Sequence, residues 1–233
     1  MNLSFRLALT SLAMLLLGGC VAERVVRNVI QPPIPSYHQP ADGVPMRRVA
    51  VLPIYCEEQQ QAAPNDLDNI FHAELTKTSA FEVIPISRDE LSTRYGIDQI
   101  SSTRAIPRDL LERLIADYAV EGVLFTDLTH YSPYRPISIG VRCKLVNARS
   151  GVLRWDFDHL FDSGSPDVAI AAKRFAMDQD DEQLPIPTDG QSILQSPSLF
   201  GKYVAHETYR SLLGINSVVS QSCLASNRQI PDK

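Results

Sequence analysis

The chain has 233 residues, of which 44% are hydrophobic and 21% are charged, and its formal net charge is −5. This length suits one domain with extensions or two small domains, and the composition is that of a globular protein with a sizeable core. The negative charge argues against non-specific binding to nucleic acid or to an acidic membrane surface.

The N-terminal segment, residues 1–19, has the pattern of a secretory signal peptide. Arg6 precedes an apolar stretch, Leu7–Leu17, that is too short to span a bilayer and is followed by two glycines. The run Leu-Gly-Gly-Cys that ends at Cys20 resembles the lipobox of bacterial lipoproteins. The resemblance implies cleavage before Cys20, a diacylglyceryl thioether on its sulfur and an acyl group on its new amine. The alternative is an ordinary secretory cleavage in which Cys20 is a bystander.

Lipid on Cys20 predicts a chain that is anchored to a membrane and not threaded through it, since no later apolar run approaches the length of a spanning helix. In lipoproteins with this signal, an aspartate after the cysteine usually causes retention in the inner membrane. Here that position is Val21. The resemblance therefore implies the outer membrane, with the protein on its periplasmic face.

Residues 20–46 are predicted to form a lipidated tether ahead of the folded domain. Five prolines occur from Pro32 to Pro45, and proline-rich segments extend at about 3.1 Å per residue. The alternative places this segment along the surface of the domain. The domain itself is expected at 47–213, and residues 214–233 are expected to form a polar C-terminal tail.

The predicted elements of the domain alternate between strands and helices. Continuous apolar runs predict buried strands, and proline or capping residues ahead of helical apolar spacing predict helix starts. This order indicates an α/β fold with a mixed sheet and flanking helices. The strands are predicted at Arg48–Ile54, Phe81–Ile86 and Gly122–Thr126, with Pro85 near a strand end or an edge, and the helices begin at Pro64, Ser87, Pro107, Asp167 and Ser198.

A long antiparallel hairpin is the clearest local structure. Apolar residues alternate with polar ones along 137–145 and along 153–161, and the segment Asn147–Gly151 supplies the turn. Pairing Asn147 with Gly151 keeps the apolar residues of both strands on one face of the sheet. This register places Cys143 opposite Trp155.

The order of the elements resembles that of a family of envelope lipoproteins. The strand Val49–Pro53, a helix, the strands Phe81–Ile84 and Ala119–Phe125, and the hairpin Lys144–Trp155 with its run Leu-Val-Asn-Ala-Arg-Ser-Gly are similar in order to the periplasmic domain of the curli-secretion channel lipoprotein. Its relatives include the lipoprotein activators of penicillin-binding proteins and the TolB amino-terminal domain. The resemblance covers about residues 47–175 and implies a two-layer or three-layer α/β sandwich without catalytic residues. It also implies a role in assembly, export or activation in the envelope, often as an oligomeric ring.

The cysteines that remain after Cys20 are odd in number, so at least one is free or paired between chains. Cys143 lies on the inward parity of its strand and is expected to be a buried free thiol. Cys56 ends the first strand and Cys223 follows the last helix, so these two are the candidates for a disulfide, which requires their Cα atoms to lie within about 7 Å.

Catalytic motifs are absent from the sequence, and no cofactor is expected. It contains no Gly-x-Ser-x-Gly elbow, no P-loop, no Gly-x-Gly-x-x-Gly and no His-Glu-x-x-His, and its five histidines are scattered. The acidic segment 178–182 lacks the spacing and the glycine of an EF-hand, so a solvated loop is favoured over a calcium site. The sequence therefore predicts no metal centre.

The segment 130–136 is the candidate contact surface. It is predicted to join two strands, and loops on a rigid sheet often carry binding residues. Tyr131, Tyr134 and Arg135 are of the types that anchor protein interfaces, and neighbouring prolines brace them. The alternative is that both tyrosines fold back and cover the end of the sheet.

These observations favour a noncatalytic, membrane-anchored lipoprotein that supports an envelope assembly or secretion machine through protein contacts. The expected partners are the membrane, through the lipid on Cys20, and another envelope protein; the family resemblance also allows a homo-oligomer. The alternative is a periplasmic regulatory or binding module for a cell-wall synthase or a polysaccharide.

Overall fold

The computed structural model describes residues 36–38, 46–56, 66–180 and 190–226. The side chains of residues 36–38, 108, 179–180 and 214–226 are not part of this description. The predicted signal peptide, Cys20 and most of the predicted tether therefore lie outside the described residues.

The described residues form a mixed β-sheet with helices packed against it, which confirms the predicted α/β class. In chain order the elements are β1 (Ser36–His38), β2 (Arg48–Val51), β3 (Tyr55–Cys56), α1 (Asp66–Lys77), β4 (Glu82–Pro85), α2 (Arg88–Tyr95), α3 (Arg108–Tyr118), β5 (Gly122–Ser132), β6 (Ser138–Asn147), β7 (Leu153–Asp162), α4 (Pro166–Asp180), a 3-10 helix (Gln191–Leu194) and α5 (Pro197–Ser226).

The strands lie in the order β1-β7-β6-β5-β2-β4, and β3 pairs with β5 beyond the end of β2. β2 is parallel to both β4 and β5, whereas β5, β6, β7 and β1 are antiparallel neighbours. The sheet thus has a parallel half, built from strands that alternate with helices, and an antiparallel half built as a meander.

Helices cover the two faces of the sheet unequally. On one face α1, α4 and α5 enclose the larger core, which contains Trp155, Tyr203 and Tyr209. On the other face α2 and α3 enclose a smaller core over the parallel half. On this second face the antiparallel half presents the exposed side chains of Asp158 and Leu160. The fold therefore has three layers over the parallel half and two over the antiparallel half.

Local chemistry accounts for the start of α2 and for the end of β4. The Ser87 side chain accepts a hydrogen bond from the Glu90 backbone N–H at 3.1 Å, as a helix N-cap does. Gly96 ends the helix with a φ of +70°, a conformation that favours glycine. Pro85 is the last residue of β4, which is an edge strand, so the predicted position of this proline is confirmed.

β5 is longer than the strand that the sequence predicts. It runs to Ser132 and forms a second hairpin with β6, interrupted by one bulge between Leu128 and His130. The connection between β5 and β6 is therefore limited to residues 133–137.

The β6–β7 hairpin has the predicted parity, but the predicted register is wrong by two residues. Cys143 lies opposite Phe157 instead of Trp155. One residue of the shift arises in the turn, where the Asn147 N–H donates to the Val152 carbonyl at 2.9 Å. The other arises from a bulge that adds one residue near the start of β7. Because the side-chain period of a strand is two, each side chain keeps its predicted face.

Part of the predicted tether belongs to the sheet. β1 is antiparallel to β7, with Ser36 opposite Phe157 and His38 opposite Trp155. These three residues agree with the alternative expectation, in which the segment lies along the surface of the domain. At the other end of the chain, α5 continues as a helix to Ser226, beyond its predicted end.

Candidate functional site

The segment predicted as a contact loop is divided between a strand and a short connection. Tyr131 lies in β5 opposite Ile139, whereas Tyr134 and Arg135 lie between β5 and β6. The half-buried side chain of Tyr131 packs against the larger core, and burial raises the pKa of its hydroxyl. Tyr131 therefore agrees with the alternative expectation, in which the tyrosines fold back and cover the end of the sheet.

Tyr134 and Arg135 are presented to solvent by that connection. Tyr134 is 81% exposed, the highest value among the large hydrophobic side chains that the structure describes. The connection is held at its base, where the Ser163 N–H donates to the Ile137 carbonyl at 2.9 Å. The structure thus keeps two of the three predicted contact residues together at the surface and separates Tyr131 from them.

A cleft of about 500 Å³ lies at the carboxyl ends of β2 and β4, beside the first turns of α1 and α2. In open α/β sheets, ligands bind outside the carboxyl ends of the parallel strands. The cleft was not predicted from the sequence. Its lining includes Ile54, Asp68, Arg88, Thr126 and Tyr209.

Two charged residues of this cleft, Asp68 and Arg88, are bound to each other and to the backbone of Ile54. Arg88 Nη2 lies 2.7 Å from Asp68 Oδ2. Asp68 Oδ1 accepts a hydrogen bond from the Ile54 N–H at 2.8 Å, and Arg88 Nη2 donates to the Ile54 carbonyl at 2.9 Å. We call these three residues the Ile54 clamp. It attaches the chain between β2 and β3 to the starts of α1 and α2.

At the inner end of the cleft, buried hydroxyl and thiol groups meet. Cys143 Sγ donates to Thr126 Oγ1 at 3.6 Å. The buried side chain of Tyr209 lines the cleft together with Thr126. Burial raises the pKa of Cys143 to about 12 and the pKa of Tyr209 well above its ordinary value. Cys143 is therefore a protonated, weakly nucleophilic thiol at neutral pH. The prediction that it is buried and free is confirmed.

A buried carboxylate, Asp127, lies in β5 and was not singled out from the sequence. It accepts hydrogen bonds from Ser101 and Ser102, which belong to the segment between α2 and α3. Its position in an apolar run was a usable sequence signal, because an aspartate inside a buried strand requires polar partners. Residues 122–128 of this strand are all buried. Neither serine could be named as the partner from the sequence, since both lie about 25 residues away in the chain.

The predicted covalent sites fall largely outside the described residues. Cys56 is half-buried in β3, and burial raises the pKa of its thiol. Among the described side chains it has no disulfide partner. The side chain of Cys223 lies outside the description, so the Cys56–Cys223 disulfide stays a prediction. Lipidation of Cys20 stays a prediction for the same reason.

Within the described ranges, no group of three or more His, Cys, Asp and Glu side chains could hold a metal ion. The helices of these ranges include none that is both long and apolar enough to cross a bilayer.

His159 is half-buried, its ring centroid is 4.7 Å from that of Phe161, and burial lowers its pKa. Its environment is thus that of a packed side chain at a sheet edge.

No family model matches the chain, and no curated protein matches it significantly. Among solved structures, the chain is similar to the PelC dodecamer protein from Paraburkholderia phytofirmans, with 13% identity, 58% of this chain and 86% of that chain covered and a TM-score of 0.38. It is similar to the lipoprotein GNA1162 from Neisseria meningitidis, with 15% identity, coverages of 60% and 99% and a TM-score of 0.39. A third is the LpoB C-terminal domain from Salmonella enterica, with 14% identity, coverages of 52% and 86% and a TM-score of 0.37. At such identities these are likenesses of fold alone.

Proposed function

We propose that this chain is a lipid-anchored, noncatalytic protein on the periplasmic face of the bacterial outer membrane. It supports an envelope assembly or secretion machine through protein contacts. The observation that carries the proposal is the run Leu-Gly-Gly-Cys at Cys20, directly after a short apolar segment. Acyl chains on one cysteine hold a soluble domain at a membrane, since two lipid signals give stable anchoring.

Contact with a protein partner is supported by the connection between β5 and β6. It presents an 81% exposed tyrosine, Tyr134, next to an exposed arginine, Arg135. Tyrosine and arginine are enriched among the residues that contribute most to protein–protein binding. The connection lies between two long strands of one sheet, so little order has to be gained when a partner binds.

A noncatalytic role is supported by the state of two charged residues in the cleft and of two buried groups near its inner end. Asp68 and Arg88 are bound to each other and to the backbone of Ile54. Groups engaged in this way hold structure and are poorly placed to transfer protons to a substrate. The thiol of Cys143 and the hydroxyl of Tyr209 are buried and protonated, which disfavours either as a nucleophile.

The second candidate function is a regulatory or binding module for a cell-wall synthase or a polysaccharide. It is favoured by the cleft itself, whose volume of about 500 Å³ falls within the range of ligand sites. Measured binding of a soluble cell-wall fragment, lost on disruption of the cleft and kept on replacement of Tyr134, would favour this candidate over the first.

The anchoring part of the proposal is tested by Cys20→Ala in cells fed radiolabelled palmitate. The wild-type chain should incorporate label and fractionate with the outer membrane, whereas the variant should be unlabelled and accumulate as an unprocessed or mislocalised precursor. Cys56→Ala is the matched control, since it removes a thiol and leaves the signal intact, and it should behave as the wild type. A mature protein that starts elsewhere, with unmodified Cys20 on intact-mass measurement, would end the proposal.

A further inference from the structure

The outer edge of β7 is paired along only part of its length. On its inner side β7 pairs with β6 from Leu153 to Asp162. On its outer side β1 covers only Trp155–Phe157, and no other strand of the described residues pairs with residues 158–162. Backbone N–H and C=O groups on such an edge are a template for another strand.

The chain's own tether is chemically unsuited to extend β1 along this edge. In the register that sets Ser36 opposite Phe157, the preceding residues Pro35 and Pro33 would fall opposite Asp158 and Leu160. Proline has no N–H and cannot donate to a strand ladder.

The side chains along the uncovered edge combine negative charge with an apolar group. Asp158, Leu160 and Asp162 share one face of β7, because side chains alternate along a strand. Leu160 is 53% exposed. Asp158 Oδ2 pairs with Arg142 at 2.7 Å, and Asp162 Oδ1 accepts from the Gly164 N–H at 2.8 Å. The second oxygen of each carboxylate, Oδ1 of Asp158 and Oδ2 of Asp162, is where a further donor would bind.

This pattern disfavours a second copy of the chain as the occupant. Antiparallel pairing of two copies centred on Leu160 would set the Asp158 carboxylate of each copy opposite the Asp162 carboxylate of the other. Like charges directly opposite each other destabilise a strand pair. Residues 158–162 contain neither lysine nor proline, which commonly prevent strand pairing at an edge, so the edge stays open to a segment of different composition.

We propose that residues 158–162 of β7 receive an extended segment of a partner protein by strand addition. The partner segment carries a basic side chain opposite each of Asp158 and Asp162 and an apolar side chain opposite Leu160. Main-chain hydrogen bonds supply binding in this mode, and the alternate side chains supply the selection. The inference rests on the proposed function in needing a protein partner, but it uses a different surface from Tyr134.

The test uses the full mature chain with Cys20→Ser, which needs no detergent, and three synthetic peptides. In the first peptide, threonines separate a lysine, a leucine and a second lysine, in that order. In the second peptide, glutamate replaces both lysines. The third is the lysine peptide with alternate backbone amides methylated. The lysine peptide should slow amide hydrogen exchange at residues 158–162 and bind about tenfold more tightly than the glutamate peptide. The methylated peptide should not bind, since it cannot complete the ladder.

Three variants locate the binding on β7. Leu160→Pro should abolish it by removing an N–H at the edge. The double variant Arg142→Asp with Asp158→Lys retains an ion pair across the strands and should reduce the preference for the lysine peptide. This variant keeps the test valid if Leu160→Pro folds poorly. Leu199→Lys, at a leucine of α5 that is 39% exposed, should leave binding unchanged.

Equal binding of the lysine and glutamate peptides, or exchange that is unaltered at residues 158–162, would overturn the inference. So would dimerisation of the chain alone with protection of the same amides, because the occupant would then be a second copy. An unlipidated Cys20 in cells would end the proposed function and leave this peptide measurement unaffected, so the two failures are distinguishable.

Discussion

The Asp127 carboxylate accepts two hydrogen bonds from Ser102, one from its backbone N–H and one from its hydroxyl, each at 2.8 Å. The Ser101 hydroxyl donates a third bond at 2.9 Å. Lys144 of β6 reaches the same segment and donates to the Ser102 carbonyl at 3.2 Å. Because Asp127 is only 3% exposed, these bonds attach the segment between α2 and α3 to the sheet at a site with little access to water.

Asp127→Ala should lower the free energy of unfolding by about 3 kcal/mol, since it leaves the buried donors of Ser101 and Ser102 without their acceptor. Urea denaturation measures the change. Glu112→Ala, at an exposed carboxylate of α3, is the control and should change stability by less than about 0.5 kcal/mol. Equal stability of the two variants would show that the bonds to Asp127 do not hold the segment.

The stability of the domain should fall in alkaline solution. Above the ordinary cysteine pKa of 9.0 the unfolded chain releases the Cys143 proton, whereas the folded chain keeps it to a pKa of about 12. The folded state then binds more protons, so the free energy of unfolding decreases by at most about 1.4 kcal/mol per pH unit for this group. Tyr209 acts in the same direction above 10.0, because burial raises its pKa as well.

Urea midpoints measured from about pH 8 to about pH 11 test this dependence. Cys143→Ala should be less stable than the wild type at neutral pH because it leaves a small cavity, but its stability should decline less steeply with pH. Parallel curves for the variant and the wild type would contradict the assigned role of the buried thiol.

The two tyrosines of the predicted contact loop should respond differently to replacement. Tyr131→Ala should lower the free energy of unfolding by about 2 kcal/mol, because its half-buried ring packs on the larger core. Tyr134→Ala, at an 81% exposed side chain, should leave the Tm nearly unchanged and weaken partner binding by about 2 kcal/mol. Thermal denaturation and quantitative crosslinking to the envelope partner separate the two effects.

Met177→Ala is a control for Tyr134→Ala, since it removes an exposed hydrophobic side chain from α4. It should affect neither the Tm nor the crosslinking yield. Unchanged function together with unchanged stability in the Tyr134 variant would remove this tyrosine from the contact surface.

The members of the Ile54 clamp should be energetically coupled. Asp68→Ala and Arg88→Ala each remove a hydrogen-bond partner of the Ile54 backbone, and each should cost about 1–2 kcal/mol. The double variant should cost about 1 kcal/mol less than the sum, because both changes disrupt one network. The ion pair of Arg48 and Glu82, whose side chains are 38% and 59% exposed, should show a coupling below about 0.5 kcal/mol. Comparable coupling in the two pairs would contradict a special role for the clamp.

Much of the fold could be predicted from the sequence because its signals are local. Apolar runs marked β2, β4 and the first half of β5, and alternation marked β6 and β7. The Ser87 cap and the edge position of Pro85 follow from the hydrogen-bonding capacity of single residues. The burial of Cys143 follows from strand parity, which the two-residue error in register leaves unchanged.

The candidate site was less predictable because its geometry depends on distant parts of the chain. Tyr131, Tyr134 and Arg135 were grouped by proximity in sequence, but the extension of β5 turned Tyr131 into the sheet and left Tyr134 exposed. The end of β5 is set by its ten pairs with β6, and the weakly alternating residues 129–132 did not signal that pairing.

The sequence by itself determined where most of the strands and helices form, which of their faces are apolar, and the signal that predicts lipid on Cys20. Only the tertiary structure decided that residues 36–38 join the sheet, that Asp68 meets Arg88, and that Asp127 meets the serines of another segment. The physical reason is that periodicity and capping act within a few residues, whereas strand order and the partners of buried charges are settled by which surfaces pack together.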